Sequence, residues 1–271
     1  MRIVREPMYD EEPRGIAEAF KRRAVHLFAS WGHCIVLMAE SLLKFPAAFM
    51  REEGRLTFFR QLYTVGIKTL PVITVVAIFT GMILGLQVGL ELRRFNQEVY
   101  VGAAVMVTLI RELGPFVTGV CLSSCVGSAI AAELGTMKVN DEVAALEIMS
   151  ISPIRYLTSP RITALMVMSP ILAFYTCVVG VMGGGLVSYT QLNVQFSQYM
   201  TSAMLIAETK DLFTGLFKSL IFGLVIGGVS CHEGFSTDMG AVGVGRAVQR
   251  SVIISFLLIL TLGYMVTRMF Y

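Results

Sequence analysis

Charged residues are scarce in this sequence: Asp, Glu, Lys and Arg make up 15% of its 271 residues. A soluble globular protein carries about 25% charged residues, so this composition argues against a soluble domain. Apolar residues reach 55%, and the mean hydropathy is +0.70. We therefore expect an integral membrane protein. The net charge of +3 gives no indication of a nucleic-acid partner, and none is expected.

Several chemical motifs are also missing. No GxxxxGK[ST] sequence occurs, so ATP-driven work would need a separate subunit. Four of the five cysteines lie inside apolar runs, and Cys231-His232 has no second Cys/His pair, so we expect neither a disulfide framework nor a metal site. No nucleophile–base set is evident; we expect no catalytic residue and no cofactor in this chain. The first 23 residues lack a signal peptide's apolar core, and we expect them to remain in the mature protein.

Long apolar runs dominate what is present. A membrane-spanning helix needs about 20 apolar residues. Four runs meet this requirement: Pro71 to Leu90, Ile162 to Tyr189, Asp211 to Cys231 with only Lys218 inside it, and Ser251 to Thr267. Residues 50–67 resemble a short polar connector, and nothing in residues 192–208 resembles a folded domain.

The run from Val99 to Ala132 is too long for one straight span, at about 50 Å. Arg111, Glu112, Leu113, Gly114 and Pro115 fall near its middle. Because Pro115 removes a helical hydrogen bond and Gly114 loosens the preceding turn, we predict one strongly bent span. The alternative is a re-entrant hairpin of two half-helices, which would invert everything after it.

The distribution of Lys and Arg favours five spans with a cytoplasmic N-terminus. On that topology the cytoplasmic segments 1–68, 133–161 and 232–250 hold sixteen Lys and Arg, against five in the outer segments and adjoining span ends. This asymmetry agrees with the positive-inside rule. Residues 24–49 are apolar but interrupted by His26, His33, Glu40 and Lys44, which suits a helix in the headgroup layer. A sixth, poor span is the alternative.

Arg111 and Glu112 are the sharpest local feature, because ionisable groups at membrane depth usually face a cavity or a partner. The functional interpretation places them, with Gly114 and Pro115, at a gate or against a lipid headgroup. The structural interpretation is an ion pair that fixes the bend. Both stay open at the level of the sequence.

The segment from Glu133 to Arg161 is the only sizeable polar stretch between spans. Asn140 is placed to cap a short helix in which Val143, Leu146 and Met149 form one apolar stripe, and Pro153 would end it. Such a helix suits a docking element, although a simple linker on the membrane is the alternative. Small residues also recur at four-residue spacing, as in Gly81, Gly85 and Gly89, for which we favour packing within the chain over a dimer face.

Three stretches together resemble the MlaE family of permeases, the membrane subunits of MCE-type lipid ABC transporters. They are RELGP at 111–115, AAELGTMKVNDEVAALEIMSISPIRYLTSPR after it, and HEGFSTDMGAVGVGRAV near the end. The resemblance covers about residue 55 to the C-terminus. It implies an all-α membrane protein, with a charged N-terminal segment and interfacial elbow helix over 1–54 and a permease domain over 55–271.

The resemblance also implies partners and sites. The partners are a second copy of the chain, two cytoplasmic ABC ATPase subunits that hydrolyse ATP, an MCE-domain protein on the outer side, and membrane lipid. A coupling helix between spans two and three would contact the ATPase through Glu142, Leu146, Glu147 and Met149. A lipid pocket would be lined by Leu84, Val88, Leu92, Phe95, Glu112 and Leu113.

The function expected from this resemblance is movement of phospholipid or a similar apolar lipid between the inner membrane and the MCE-domain partner. The expected location is a bacterial inner membrane, with a plastid inner envelope as the alternative. An ion-coupled secondary transporter using Arg111 and Glu112, or a membrane scaffold without transport, are the competing functions. The lipid's identity and the direction of transport do not follow from the residues.

Overall fold

The computed structural model describes residues 32, 34–41, 43 and 52–271, and among them it contains helices and no strand. The expectations placed on the first 31 residues, on His33 and on Lys44 lie outside this range. Within this range, five helical stretches are long and apolar enough to cross a membrane. They are the first span Gly54–Arg94, the second Glu98–Val139, the third Ile154–Leu192, the fourth Thr209–Phe235 and the fifth Ala241–Phe270. The all-α membrane fold is confirmed, and the described residues contain the five expected spans.

The helices within and between these spans have the following bounds. They are α1 Glu52–Gly66, α2 Leu70–Arg94, α3 Val101–Thr108, α4 Gly114–Leu122, α5 Ser128–Val139, α6 Glu142–Ile148, α7 Ser159–Leu192, α8 Phe196–Ile206, α9 Thr209–Phe235 and α10 Ala241–Phe270. A 3₁₀ turn occupies Glu98–Tyr100, and π-turns occupy Leu109–Leu113, Ser123–Gly127 and Ile154–Thr158. The helices α6 and α8 lie in loops at opposite ends of the bundle, which we call the α6 end and the α8 end.

One sequence expectation about the connections was wrong, and a second connection contains a helix that the sequence did not predict. Residues 50–67 are not a polar connector, because α1 begins at Glu52 and leads through a three-residue turn into α2. Its polar residues include Arg55 and Arg60, which lower its hydropathy without preventing a helix that packs on α7. The loop 192–208 contains α8, whose Tyr199 is fully buried and donates a hydrogen bond to the Val181 carbonyl at 3.1 Å. Burial raises the pKa of the Tyr199 hydroxyl, which therefore stays a neutral donor.

The second span is one continuous helical path rather than a re-entrant hairpin. At the Leu113–Gly114 junction the backbone stays helical, with φ and ψ of −68° and −36° at Leu113 and −60° and −58° at Gly114. A hairpin would require the chain to reverse here, and helical dihedrals do not permit a reversal. The irregularity expected at Gly114 and Pro115 is present as the π-turn Leu109–Leu113 immediately before them.

The third span lies at the centre of the bundle. It packs against the first, second and fourth spans, while the fifth packs against the second and fourth. Gly81 and Gly85 of the first span face Gly180 and Gly184 of the third, where a methyl group added at Gly85 would lie 2.9 Å from the Gly184 Cα. This spacing therefore serves packing within the chain, because only glycine lets the two backbones approach so closely. The helical residues 34–41 pack through Cys34 and Met38 onto α9 and α10.

Candidate functional site

Arg111 and Glu112 both form ion pairs with the fourth span. Arg111 donates from Nη2 to Oδ2 of Asp211 at 2.9 Å, and its Nε lies 2.8 Å from Oδ1 of the same carboxylate. The Tyr271 hydroxyl donates to Asp211, and the Arg111 guanidinium lies over the Tyr271 ring at 4.5 Å. This first cluster joins the second span, the start of the fourth and the end of the fifth.

Glu112 takes part in a second cluster on a different side of the helix. Lys218 Nζ donates to Glu112 Oε1 at 2.7 Å, to Thr267 Oγ1 at 2.7 Å and to the Arg111 carbonyl at 2.8 Å. Pro115 has no N–H to offer the carbonyl of Arg111 four residues before it, so the Lys218 ammonium supplies a donor where the proline removed one. The local break and the buried lysine are therefore parts of one arrangement.

Each cluster pairs one buried charged side chain with a more exposed one. The Lys218 side chain is 1% exposed and that of Glu112 is 46% exposed. A buried ammonium is costly unless a carboxylate and further acceptors surround it, and all three ammonium donors here have acceptors. Arg111 and Glu112 thus join the second span to the fourth through ion pairs, while a role in fixing the bend stays a prediction. The exposed half of Glu112 remains on the surface of the single chain, where the gate or headgroup interpretation stays a prediction.

The partners Asp211, Lys218, Thr267 and Tyr271 were not identified as site residues from the sequence. A signal for two of them was present. A cation and an anion within one span each need a counter-ion from another span. Asp211 and Lys218 could supply these, because they are seven residues apart and so lie on one face of the fourth span. The hydroxyl partners carried no such signal, because Thr and Tyr are common near span ends.

The six predicted pocket residues are only partly together. Leu84, Leu92 and Leu113 pack against one buried apolar cluster at the α8 end, formed by Val101, Val105, Leu109, Val181, Leu192, Val194 and Tyr199. Phe95 ends α2 and is 72% exposed, and Val88 is half-buried. Glu112 belongs to the polar cluster with the fourth and fifth spans instead. The assignment of these residues to a lipid pocket stays a prediction.

The predicted coupling helix exists as α6, but its start and its faces differ from expectation. Asn140 ends α5, and Asp141, with a φ of 60°, precedes the first turn of α6, so the predicted Asn140 cap is wrong. Val143 and Leu146 pack on the core, whereas Glu142, Glu147 and Met149 are exposed. Ile148 and Ile151, 84% and 40% exposed, extend the free apolar edge and were missed. The contact with an ATPase stays a prediction.

Two further ion pairs lie at the α6 end of the bundle. Arg161 of the third span donates to Glu133 of the second at 2.8 Å, and Arg250 of the fifth lies 3.3 Å from Glu233 of the fourth. A cleft of about 500 Å³ borders the first pair, lined by Ala132, Glu133, Thr136, Met137 and Arg161.

Comparison with known proteins agrees with this architecture. The family model Permease MlaE matches residues 58–269. A probable ABC transporter permease of Rickettsia typhi is 40% identical over 212 residues, which are 78% of this chain and 82% of that protein. A probable ABC transporter permease of Rickettsia bellii is 35% identical over 259 residues, covering 94% and 98% of the two chains.

A third relative carries a more specific name. The MlaE permease of the intermembrane phospholipid transport system of Haemophilus influenzae is 29% identical over 213 residues, which are 78% of this chain and 82% of that protein. The family match runs from α1 to the last residues of α10, and so includes α6 and every residue of the two polar clusters except Tyr271. The chain is therefore a multi-pass membrane protein that belongs to the MlaE family of ABC transporter permeases.

Proposed function

We propose that this chain is the membrane subunit of an ABC transporter that moves phospholipid or a similar apolar lipid. Two copies assemble with two ATPase subunits, which bind and hydrolyse the ATP, and with an MCE-domain protein. The α6 end faces the cytoplasm and the α8 end faces the outer side of a bacterial inner membrane. Family membership supports the transporter class, and the name of the Haemophilus relative supports phospholipid as the substrate class.

The observation that carries the ATPase contact is the geometry of α6. One face of this helix is fastened to the bundle by Val143 and Leu146, while Glu142, Glu147 and Met149 stay free on the other side. An exposed apolar edge beside carboxylates, in a loop between two spans, supplies both an anchor and an orienting charge for a protein partner. A simple linker would not need a fastened helix.

Native mass spectrometry after mild solubilisation from the source membrane tests the assembly. We expect two copies of this chain with two ATPase-sized subunits and bound lipid. A lone chain without partner or lipid in several mild detergents would contradict the proposal. That outcome would favour the ion-coupled transporter or the scaffold.

A double variant tests the surface of α6. Glu142→Lys with Met149→Asp changes two exposed residues and should detach the ATPase, because it reverses one charge and places another on the apolar edge. The matched control is Glu91→Lys with Phe95→Asp, two exposed residues at the α8 end, which should keep the ATPase bound. Co-purification of the ATPase with each variant is the measurement. Equal retention by both variants would remove α6 from the contact.

A further inference from the structure

The segment 134–160, which carries α6, is closed at its base by one ion pair. Glu133 precedes the segment in the second span and Arg161 follows it in the third, and Nη2 of Arg161 donates to Oε2 of Glu133 at 2.8 Å. The two residues are 28 positions apart in sequence. Because the second span runs to Val139 and the third begins at Ile154, the pair joins the two spans a short way inside their ends.

The burial of Arg161 makes this pair different from a surface ion pair. The Arg161 side chain is 9% exposed, and its Nη1 is buried without a hydrogen-bond partner among the described residues. A buried guanidinium with an unsatisfied nitrogen depends strongly on the acceptor it does have. Glu133 is that acceptor, although its own side chain is 63% exposed.

Other residues of the segment are also held in the bundle, since Leu134 and Leu157 are buried in the main core and the Ser159 hydroxyl donates to the Ser41 carbonyl at 2.7 Å. Val143 and Leu146 pack on the main core beside Met137 of α5, whereas Ile148, Met149 and Ile151 are free. A force that a partner applies to these exposed residues is therefore resisted by the core contacts and by the Glu133–Arg161 pair, which we call the basal pair. With both intact, the segment and the adjoining ends of the second and third spans move together.

We infer that Glu133 and Arg161 are positioning residues that turn the segment 134–160 into a rigid lever between the ATPase and the second and third spans. This inference rests on the proposed function, because it takes the free edge of α6 as the surface that the ATPase moves. The pair does not touch ATP or lipid. It acts by keeping the loop 140–153, which carries α6, from moving independently of the two spans.

The Glu233–Arg250 pair provides a matched control at the same end of the bundle. It joins the fourth and fifth spans across the loop that leads into α10, and its distance is 3.3 Å. Glu233 is buried, as Arg161 is, so a substitution of Arg250 also disturbs a pair with one buried member. Neither Glu233 nor Arg250 lies in the segment 134–160.

Hydrogen exchange on the purified full-length chain tests the lever without any partner. Arg161→Gln should speed amide exchange over residues 140–153 by about tenfold, because the base of the segment opens. Arg250→Gln should leave those amides within about twofold of the unchanged protein. Arg161→Lys, which keeps the cation, should restore most of the protection. Equal exchange in Arg161→Gln and Arg250→Gln would overturn the inference.

Transport by the assembled complex gives the second readout. Arg161→Gln should keep its ATPase and hydrolyse ATP, but move about tenfold less lipid per ATP, and the exchanged pair Glu133→Arg with Arg161→Glu should recover transport. Glu133→Gln serves as a second variant, should Arg161→Gln fold poorly. Unchanged lipid per ATP in folded variants with retained ATPase would overturn the lever. Absence of ATPase from the unchanged complex would instead contradict the proposed function, while the exchange result would still decide the basal pair.

Discussion

Lys218 holds an ammonium group inside the protein with three acceptors from two other spans, which are the Glu112 carboxylate, the Thr267 hydroxyl and the Arg111 carbonyl. An ammonium has three donors, so the group is fully satisfied. Its burial therefore depends on Glu112 for charge and on Pro115, which has no N–H to donate to the Arg111 carbonyl. We therefore expect a substitution of Lys218, Glu112 or Pro115 to alter the hydrogen bonding at the other two positions.

Glu112→Gln should destabilise the protein by about 3–5 kcal/mol, because it leaves the buried Lys218 charge unpaired. Adding Lys218→Met should recover most of this loss, since the double variant removes both charges. Glu91→Gln, which breaks an exposed pair with Arg94, should cost less than about 1 kcal/mol. Unfolding in mixed micelles measures all three. A loss in the double variant as large as in Glu112→Gln would contradict the account.

Leu84→Trp tests the predicted lipid pocket. Leu84 is half-buried against the apolar cluster at the α8 end, so a larger side chain there should lower the amount of lipid that remains bound. Ile83→Trp is the control, since Ile83 is 60% exposed on the neighbouring position of the helix. Native mass spectra of both variants give the lipid occupancy. Equal occupancy in the two would place the pocket elsewhere.

The residue scale is also where the sequence was least sufficient. Arg111 and Glu112 stood out because charges are rare within apolar runs, and that signal needs no structure. Their partners depend on which helix faces meet, and this is set by packing among five spans rather than by local pattern. Leu146 shows the same limit, because an apolar stripe predicts that a face is covered without saying whether core or partner covers it.

At the scale of single elements, the glycines of the first and third spans set how closely two helices approach. Gly81→Ala should destabilise the bundle by about 1–3 kcal/mol, because the new methyl group would overlap the Gly180 carbonyl. Gly245→Ala in α10 is the control, since a methyl group there meets nothing within 4 Å. It should be neutral or slightly stabilising. Unfolding in mixed micelles compares them, and equal behaviour would deny the close approach of the two spans.

Elements differ in how far hydropathy alone could place them. Long apolar runs identified the cores of four spans, because the bilayer admits few alternatives. The helix α1 escaped notice because its residues are mixed in polarity, although it continues the first span towards the α6 end. The helix α8 was not predicted for another reason. It is held by the contact of Tyr199 with the third span, and the spacing of apolar residues does not indicate such a contact.

At the scale of the whole molecule, the proposed topology places α6 inside the cell and α8 outside. In a Cys125→Ser background, Ser197→Cys in α8 should react with a membrane-impermeant maleimide in spheroplasts, whose inner membrane is intact. Asp238→Cys, exposed beside α10 at the other end, should react only after that membrane is opened. The other four cysteines are buried and should stay silent. The reverse labelling pattern would invert the topology and place α6 out of reach of a cytoplasmic ATPase.

The two π-turns of the second span affect how mutations in this helix should be compared. Each π-turn adds a residue to the helical path, so it rotates all later side chains by about 100° relative to an unbroken α-helix. Across Leu109–Leu113 and Ser123–Gly127 together, the offset approaches 200°. A helical wheel drawn through residues 98–139 would therefore place residues of opposite faces side by side. Mutational scans of this span become interpretable only when its three α-helical pieces are plotted on separate wheels.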